Sequence, residues 1–344
     1  MLLAVLGGLF VGSAGLTWTV RGLARRWAVY DRPVDRSLHT EPTPRLGGTA
    51  IAVTTCLGWG WLLLTGQATG AVLLPLLAGG AVAAVVGLVD DASELSPWLK
   101  LSGQSVAVGV ACLWLANGTP WVVLSVWALV LLTHMNFFNF MDGSDGLAGG
   151  LAVLASGGLA LLAWDIGATA PASIALVLTA AAGGFLTLNH PPASIFMGDT
   201  GSQFLGFALG FIALHLTLSE LGLLPPLMVL GPFIFDATVT LGRRALAGER
   251  VWRAHRTHLY QRLIGHGYSH LRVAWIYYGW TLLVTGLAWV VPRTSPPLVA
   301  VLVAVSVAPG FGLMALIGAL DRGPGPARQD DRSRDDTTSD GGEV

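Results

Sequence analysis

Asp90 and Asp91 stand side by side, and they are followed by Lys100, the only lysine in a chain that otherwise uses arginine. Adjacent carboxylates repel, and a divalent cation or a shared proton relieves the repulsion. A compact ammonium suits a phosphate oxygen as a point charge, although a lysine at a helix start also snorkels to a membrane interface. A second group runs from Asn136 to Leu147 and holds Asn139, Asp142 and Asp145. In a helix, Asn136, Asn139 and Asp142 recur at i, i+3 and share one face, and Gly143 and Gly146 let a ligand approach the backbone. The Asp-x-Asx-Gly fragments suggest a calcium loop, but the terminal Glu of that pattern is absent.

Three further segments carry polar groups. Asn189 to Ser202 contains Phe196-Met197-Gly198-Asp199 just before an apolar run, where Asp199 could also serve as a helix cap. Arg253 to Leu263 holds His255, Arg256 and His258, a basic set suited to an anion. No third histidine or Glu completes a zinc set there. Asp31 to Gly48 is rich in proline and glycine and reads as a shaped loop, with arginines, Arg32, Arg36 and Arg45, that could be positive-inside anchors.

These groups need elements to hold them, and composition says which. The 344 residues are 53% hydrophobic and 11% charged, with a mean hydropathy of +0.65; a soluble domain carries about 25% charged residues. This is the composition of an all-α polytopic membrane protein. Eleven candidate spans appear, at 2–20, 47–65, 71–89, 99–116, 121–138, 147–164, 172–188, 203–221, 223–242, 273–291 and 297–319. The first has no charge before Arg21 and a basic cluster after it, the reverse of a cleaved signal peptide. With the spans alternating, one side collects Arg21 to Arg45, Lys100, Arg243 to Arg272 and Arg322 to Arg334, and the other only Arg293. Positive charge marks the cytoplasmic side, so the N-terminus is expected outside and the C-terminus inside. Residues 1–320 form the membrane domain, and 321–344 read as a disordered cytoplasmic tail. No basic stripe with interleaved aromatics is present, which argues against nucleic-acid binding. Cys56 and Cys112 lie in apolar stretches and read as small buried hydrophobes.

Taken in order, the five segments resemble the polyprenyl-phosphate N-acetylhexosamine-1-phosphate transferases, glycosyltransferase family 4, over about residues 31 to 270. The Asp-Asp pair, Asn-x-x-Asn-x-x-Asp-Gly-x-Asp-Gly and Phe-Met-Gly-Asp-x-Gly-Ser carry the likeness. The resemblance implies that Asp199 binds Mg²⁺, or Mn²⁺, with help from Asn139. It places Phe196 on the uracil ring, Asn189 among the donor-binding residues, and the His255 to His258 segment with Arg256 against the sugar and pyrophosphate. It makes Asp90, Asp91, Lys100, Asp142, Asp145 and His258 the candidate catalytic groups, with the division between Asp90 and Asp91 open. The loop Thr257-His258-Leu259-Tyr260-Gln261-Arg262-Leu263 departs from the histidine-rich run of many bacterial members, since Tyr260 and Gln261 stand where histidines would. That looks more like the branch that initiates O-antigen, capsule or teichoic-acid-type glycans than the peptidoglycan branch.

The reaction so implied moves an N-acetylhexosamine-1-phosphate from a UDP-sugar to undecaprenyl phosphate, releasing UMP, at the cytoplasmic face of a bacterial inner membrane. The sugar is N-acetylglucosamine or a deoxy-amino sugar such as N-acetylfucosamine, and a homodimer is open to such an enzyme. The alternative is an ion-coupled transporter, which also buries acids but usually near the bilayer midplane with internal repeats. Here the acids gather at one predicted face.

Overall fold

A computed structural model describes residues 1–31, 33, 38, 41–114, 119–251 and 255–322. Among these the chain is almost wholly helical: α1 (Leu2–Arg26), α2 (Gly48–Leu64), α3 (Gly70–Ser93), α4 (Pro97–Trp114), α5 (Trp121–Phe140), α6 (Leu147–Asp165), α7 (Thr169–Asn189), α8 (Gly198–Thr217), α9 (Leu224–Val229), α10 (Gly231–Leu246), α11 (Leu259–Gly265), α12 (His270–Val290) and α13 (Pro296–Leu320). The exception is a short antiparallel pair, β1 (Tyr30–Asp31) with β2 (Thr43–Pro44). Among the described residues, eight helices are long and apolar enough to cross a membrane: α1, α3, α5, α6, α7, α8, α12 with the 3₁₀ turn that follows it, and α13. Large apolar side chains stand exposed on the outside of the bundle, among them Leu57 on α2, Leu113 on α4, Val122 on α5 and Leu282 on α12. A bilayer, not water, is the solvent that such a surface requires.

Each expected span falls on a helix, with two corrections. The ninth, 223–242, is not one helix but α9 followed by α10. Leu230 ends one and Gly231-Pro232 starts the next, because proline at the first turn of a helix has no amide hydrogen to lose. The eighth starts at Gly198, not at residue 203, so Asp199 lies inside the first turn of α8 rather than ahead of it. Apart from Asp321 and Arg322, the expected tail lies outside the described residues.

The bundle is organised around α8, of which 89% of the spanning window is buried. It packs against α2, α3, α5, α6 and α9. Small residues permit that crowding. A methyl group on Gly48 would come within 2.2 Å of the Gly201 backbone, and one on Gly206 within 2.8 Å of the Met135 Cα. Polar side chains then join helices across their faces. Ser13 donates to the Ala181 carbonyl at 2.6 Å, Trp59 to Ile174 at 3.0 Å and Trp280 to Ser306 at 2.7 Å. At the end far from the polar segments, Asp165 binds Arg293 and, at 2.9 Å, the Trp289 indole, which ties α6 to α12. At the other end, the loops after α1, α3, α5, α7 and α10 converge.

Candidate active site

All five polar segments meet around one cavity of about 1000 Å³ at that end. Its wall includes Asp31, Arg45, Asp91, Lys100, Asn139, Asp142, Asp145, Asn189, Phe196, Asp199, His255 and His258.

The centre is an ion cluster. The Lys100 ammonium lies 2.7 Å from Asp199 Oδ2 and 2.7 Å from Asp90 Oδ2. It holds together carboxylates from α3 and α8 at the start of α4. Asp90 also accepts from the Leu95 amide at 2.7 Å, which closes the turn between α3 and α4. Asn139 donates from Nδ2 to Asp199 Oδ1 and, at 2.8 Å, to the Ser202 hydroxyl. Beneath this cluster, Gln104 donates to Gln203 at 2.8 Å and accepts from Asn136 at 2.9 Å. Asn136 therefore forms part of the floor.

Asp91 does something different from its neighbour. Its Oδ1 accepts from the Asp199 amide at 2.9 Å, and its Oδ2 from the Thr200 amide at 3.0 Å and the Thr200 hydroxyl at 2.7 Å. The first amides of any helix lack intrahelical partners, and a carboxylate there also meets the positive end of the helix dipole. Asp91 thus fixes the start of α8 and with it the position of Asp199. Arg45 binds the Asp91 carbonyl and braces the same corner. Gly198 has φ +73°, and a methyl group there would meet both Asp91 oxygens at 2.8 Å, so glycine is required on two counts.

The loop before α8 is held from several sides. The Phe196 amide donates to the Pro44 carbonyl at 2.8 Å, and the Gly47 and Gly48 amides donate to the Phe196 and Met197 carbonyls at 2.9 and 2.8 Å. The end of the first polar segment therefore acts as an edge against which Phe196 is presented to the cavity. Asn189 is buried with both ends of its amide used: it donates to the Ile195 carbonyl at 3.0 Å and accepts from the Gly146 amide at 3.1 Å. It staples the loop before α6 to the loop before α8.

Asp142 lies beyond the end of α5 at Phe140, so it does not share a helix face with Asn136 and Asn139. Burial, then the nearby charges of Asp199, Asp91 and Asp31, hold its carboxyl well above the usual range. Asp145 accepts from the Ala193 amide at 3.0 Å, and its own amide donates to His270 Nδ1 at 3.1 Å. His255 and His258 have stacked rings with centroids 5.0 Å apart. Burial, with His258 and Arg244 nearby, lowers His255 to about 4. Asp90 and Arg256 are not part of the cavity wall; Asp90 reaches it through Lys100. The residues that replace histidines line the cavity and also hold the backbone around it. Tyr260 is fully buried and donates to the Phe140 carbonyl at 2.9 Å, and Gln261 accepts from the His258 amide at 3.2 Å. Sequence reasoning missed Asp236, which receives His258 Nδ1 at 3.2 Å; its signal was an acid inside an apolar run.

The cavity wall carries Asp31, Asp91, Asp142, Asp145 and Asp199 against Arg45 and Lys100. Such a wall repels anions unless further positive charge is supplied. Among the described residues, no three His, Cys, Asp or Glu side chains cluster as a protein-only metal cage. Asp199 and Asn139 are neighbouring side chains with the Asn139 amide nitrogen toward Asp199 Oδ1; one carboxylate, joined by the Asn139 amide oxygen once that group turns over, is a donor set that fits Mg²⁺ completed by substrate phosphates.

Residues 73–217 match the family model described as glycosyl transferase family 4. The chain is 31% identical over 274 residues to the probable undecaprenyl-phosphate N-acetylglucosaminyl 1-phosphate transferase of Bacillus subtilis, covering 74% of this chain and 75% of that one. It is 30% identical to the decaprenyl-phosphate N-acetylglucosaminephosphotransferase of Mycolicibacterium smegmatis, covering 91% and 87%. It is also 34% identical to the phospho-N-acetylmuramoyl-pentapeptide-transferase of Shouchella clausii, covering 65% and 76%.

Proposed function

The chain belongs to glycosyl transferase family 4, the polyprenyl-phosphate N-acetylhexosamine-1-phosphate transferases, and from that premise we infer the reaction its cavity performs. It is a multi-pass membrane enzyme that transfers an N-acetylhexosamine-1-phosphate to a polyprenyl phosphate. The observation that carries this reading is the Lys100 ammonium shared by Asp90 and Asp199 beside Asn139, in a cavity to which all five segments contribute.

The donor is a UDP-sugar, with UDP-N-acetylglucosamine favoured by the names of two relatives. An oxygen of the lipid phosphate attacks the sugar-bearing phosphorus. The bond from that phosphorus to the bridging oxygen breaks, and UMP leaves with the electron pair. Bringing two anions together makes charge neutralisation and alignment the main tasks. Asp199 and Asn139 would hold Mg²⁺ or Mn²⁺, which when bound supplies positive charge to the diphosphate. Lys100, released in part from its carboxylates, adds a point charge to the reacting phosphates. Phe196 presents an aromatic face to the uracil, and His255 and His258, which line the cavity, lie toward the sugar and diphosphate, with Arg256 between them in sequence adding charge from outside the wall. Asp91 and Asn189 keep the loops in register and do not touch the reacting atoms.

The excess of Arg on the loops at the cavity end supports a cytoplasmic site, with the N-terminus outside and eleven membrane-crossing segments, α9 and α10 together making the ninth. Every residue named lies on one chain, so the reading needs no dimer. The carrier alternative has no support: the acids that line the cavity, Asp31, Asp91, Asp142, Asp145 and Asp199, gather at one end of the bundle rather than near its middle.

The test is UMP release by the purified protein with undecaprenyl phosphate, UDP-N-acetylglucosamine and Mg²⁺. Release that needs both the lipid and the cation is expected, with chelation abolishing it. Folded protein that releases no UMP from any UDP-N-acetylhexosamine would overturn the reading.

A further inference from the structure

Asp236 lies in α10, outside every segment that its sequence pattern marks, and is fully buried. A carboxylate there must have donors on both oxygens to persist. Its Oδ1 accepts from the Leu259 amide at 2.9 Å, the Thr240 hydroxyl at 3.1 Å and His258 Nδ1 at 3.2 Å. Its Oδ2 accepts from the Tyr277 hydroxyl at 2.5 Å and the Tyr260 amide at 3.3 Å. Three of these donors belong to the consecutive residues 258 to 260. The carboxylate therefore fixes the backbone at the start of α11 and the plane of the His258 ring together.

We propose that Asp236 is the positioning residue for His258, keeping the proton on Nδ1 so that Nε2 is the nitrogen offered to the donor's sugar-diphosphate. This rests on the transferase reading for the identity of the ligand. The geometry has a direct consequence. A carboxylate cannot donate, so the ring nitrogen facing it must carry hydrogen. Whether the ring is neutral or charged, Nδ1–H faces Asp236 and the group that changes is Nε2. Without the carboxylate the ring is free to take the other tautomer or to rotate, and the group offered to the ligand is then wrong. The rings of Phe140, His255 and Tyr260 pack against His258 and a capping box joins it to Gln261, while the acceptor that faces Nδ1 among the described residues is Asp236.

The test compares wild type, Asp236→Asn, His258→Ala and the double variant, with Tyr277→Phe as a packing control. Transfer is measured as kcat and KM with UDP-N-acetylglucosamine, and the His258 tautomer by ¹⁵N NMR of histidine-labelled protein, its resonance identified by its loss in His258→Ala. Asp236→Asn is expected to lower kcat by about 10- to 100-fold. In the His258→Ala background the same change is expected to add no more than about a twofold loss, as required of a residue that acts through another. Wild-type His258 is expected to show the proton on Nδ1, and Tyr277→Phe to retain it. An Nε2–H tautomer in wild type, which needs no variant to fold, would overturn the proposal. So would equal losses from Asp236→Asn in both backgrounds, or a Tyr277→Phe loss as large as that of Asp236→Asn. If wild type releases no UMP, the transferase reading fails, while the tautomer still reports on the Asp236–His258 pair.

Discussion

Replacing Asp91 by Asn tests the claim that the second aspartate of the pair holds α8 rather than acting on substrate. The carboxylate takes three donors: the Asp199 amide, the Thr200 amide and the Thr200 hydroxyl. A carboxamide has one oxygen. If it keeps the two Thr200 donors, its NH₂ faces the Asp199 amide, and that donor is left unpaired. An orphaned buried donor costs about 1–3 kcal/mol, and loss of the negative charge at the helix start adds about 0.3–1 kcal/mol. The start of α8 should open more readily by about 1.3–4 kcal/mol, which is about 10- to 700-fold faster exchange of the Asp199 and Thr200 amides. Hydrogen–deuterium exchange of a peptide covering 198–204 reads this directly, beside UMP release on the same sample. Asp90→Asn, which touches neither amide, should leave their exchange unchanged. Lost activity in Asp91→Asn with normal protection at Asp199 and Thr200 would refute the reasoning and return Asp91 to the reacting atoms.

Three other outcomes follow from the same geometry. Asp199→Asn should abolish UMP release while the protein remains folded by circular dichroism, and normal turnover would sink the metal assignment. Gly198→Ala should cost about 1–2 kcal/mol from the left-handed backbone alone, beyond the contact with Asp91, and should be seen as a lower unfolding midpoint; an unshifted midpoint contradicts the geometry. The His255 value of about 4 lies below the ordinary histidine value of 6.5. The unfolded chain therefore takes up a proton first, and the stability from keeping His255 neutral is present above about pH 6.5 and lost as pH falls toward about 4. His255→Gln should flatten that acid-side loss in melting temperature against pH, and equal slopes for variant and wild type would count against the assignment.

How far the sequence could be read depends on what each signal measures. Hydropathy reports composition over a window, so it located the apolar segments and failed where direction matters, at the break between α9 and α10. Lys100, Asn139 and Asp199 were legible because a lone lysine and membrane-edge polar groups have few bland explanations. What could not be read was which oxygen meets which hydrogen. Asp90 and Asp91 are adjacent in sequence, yet one faces Lys100 and the other the start of α8, a distinction set by the helical turn between them. Asn189 lines the cavity and also uses its amide to hold two backbone partners, a second task that the residue type alone does not reveal. Asp236 stood in full view inside an apolar run, with nothing nearby in sequence to say that His258 would come to it.

The last helix reaches the site by a route of its own. Asp321, one residue past the end of α13, binds Arg262 and, at 2.9 Å, His266 Nε2, on the far end of the helix that starts beside His258. Hydropathy makes Leu320 and Arg322 equivalent places to end the protein, since both retain all of α13. They are not equivalent for α11, because only the second keeps the carboxylate that tethers it. A fusion partner or epitope tag joined directly after Leu320 would thus act on the cavity at a distance, through a helix it never touches.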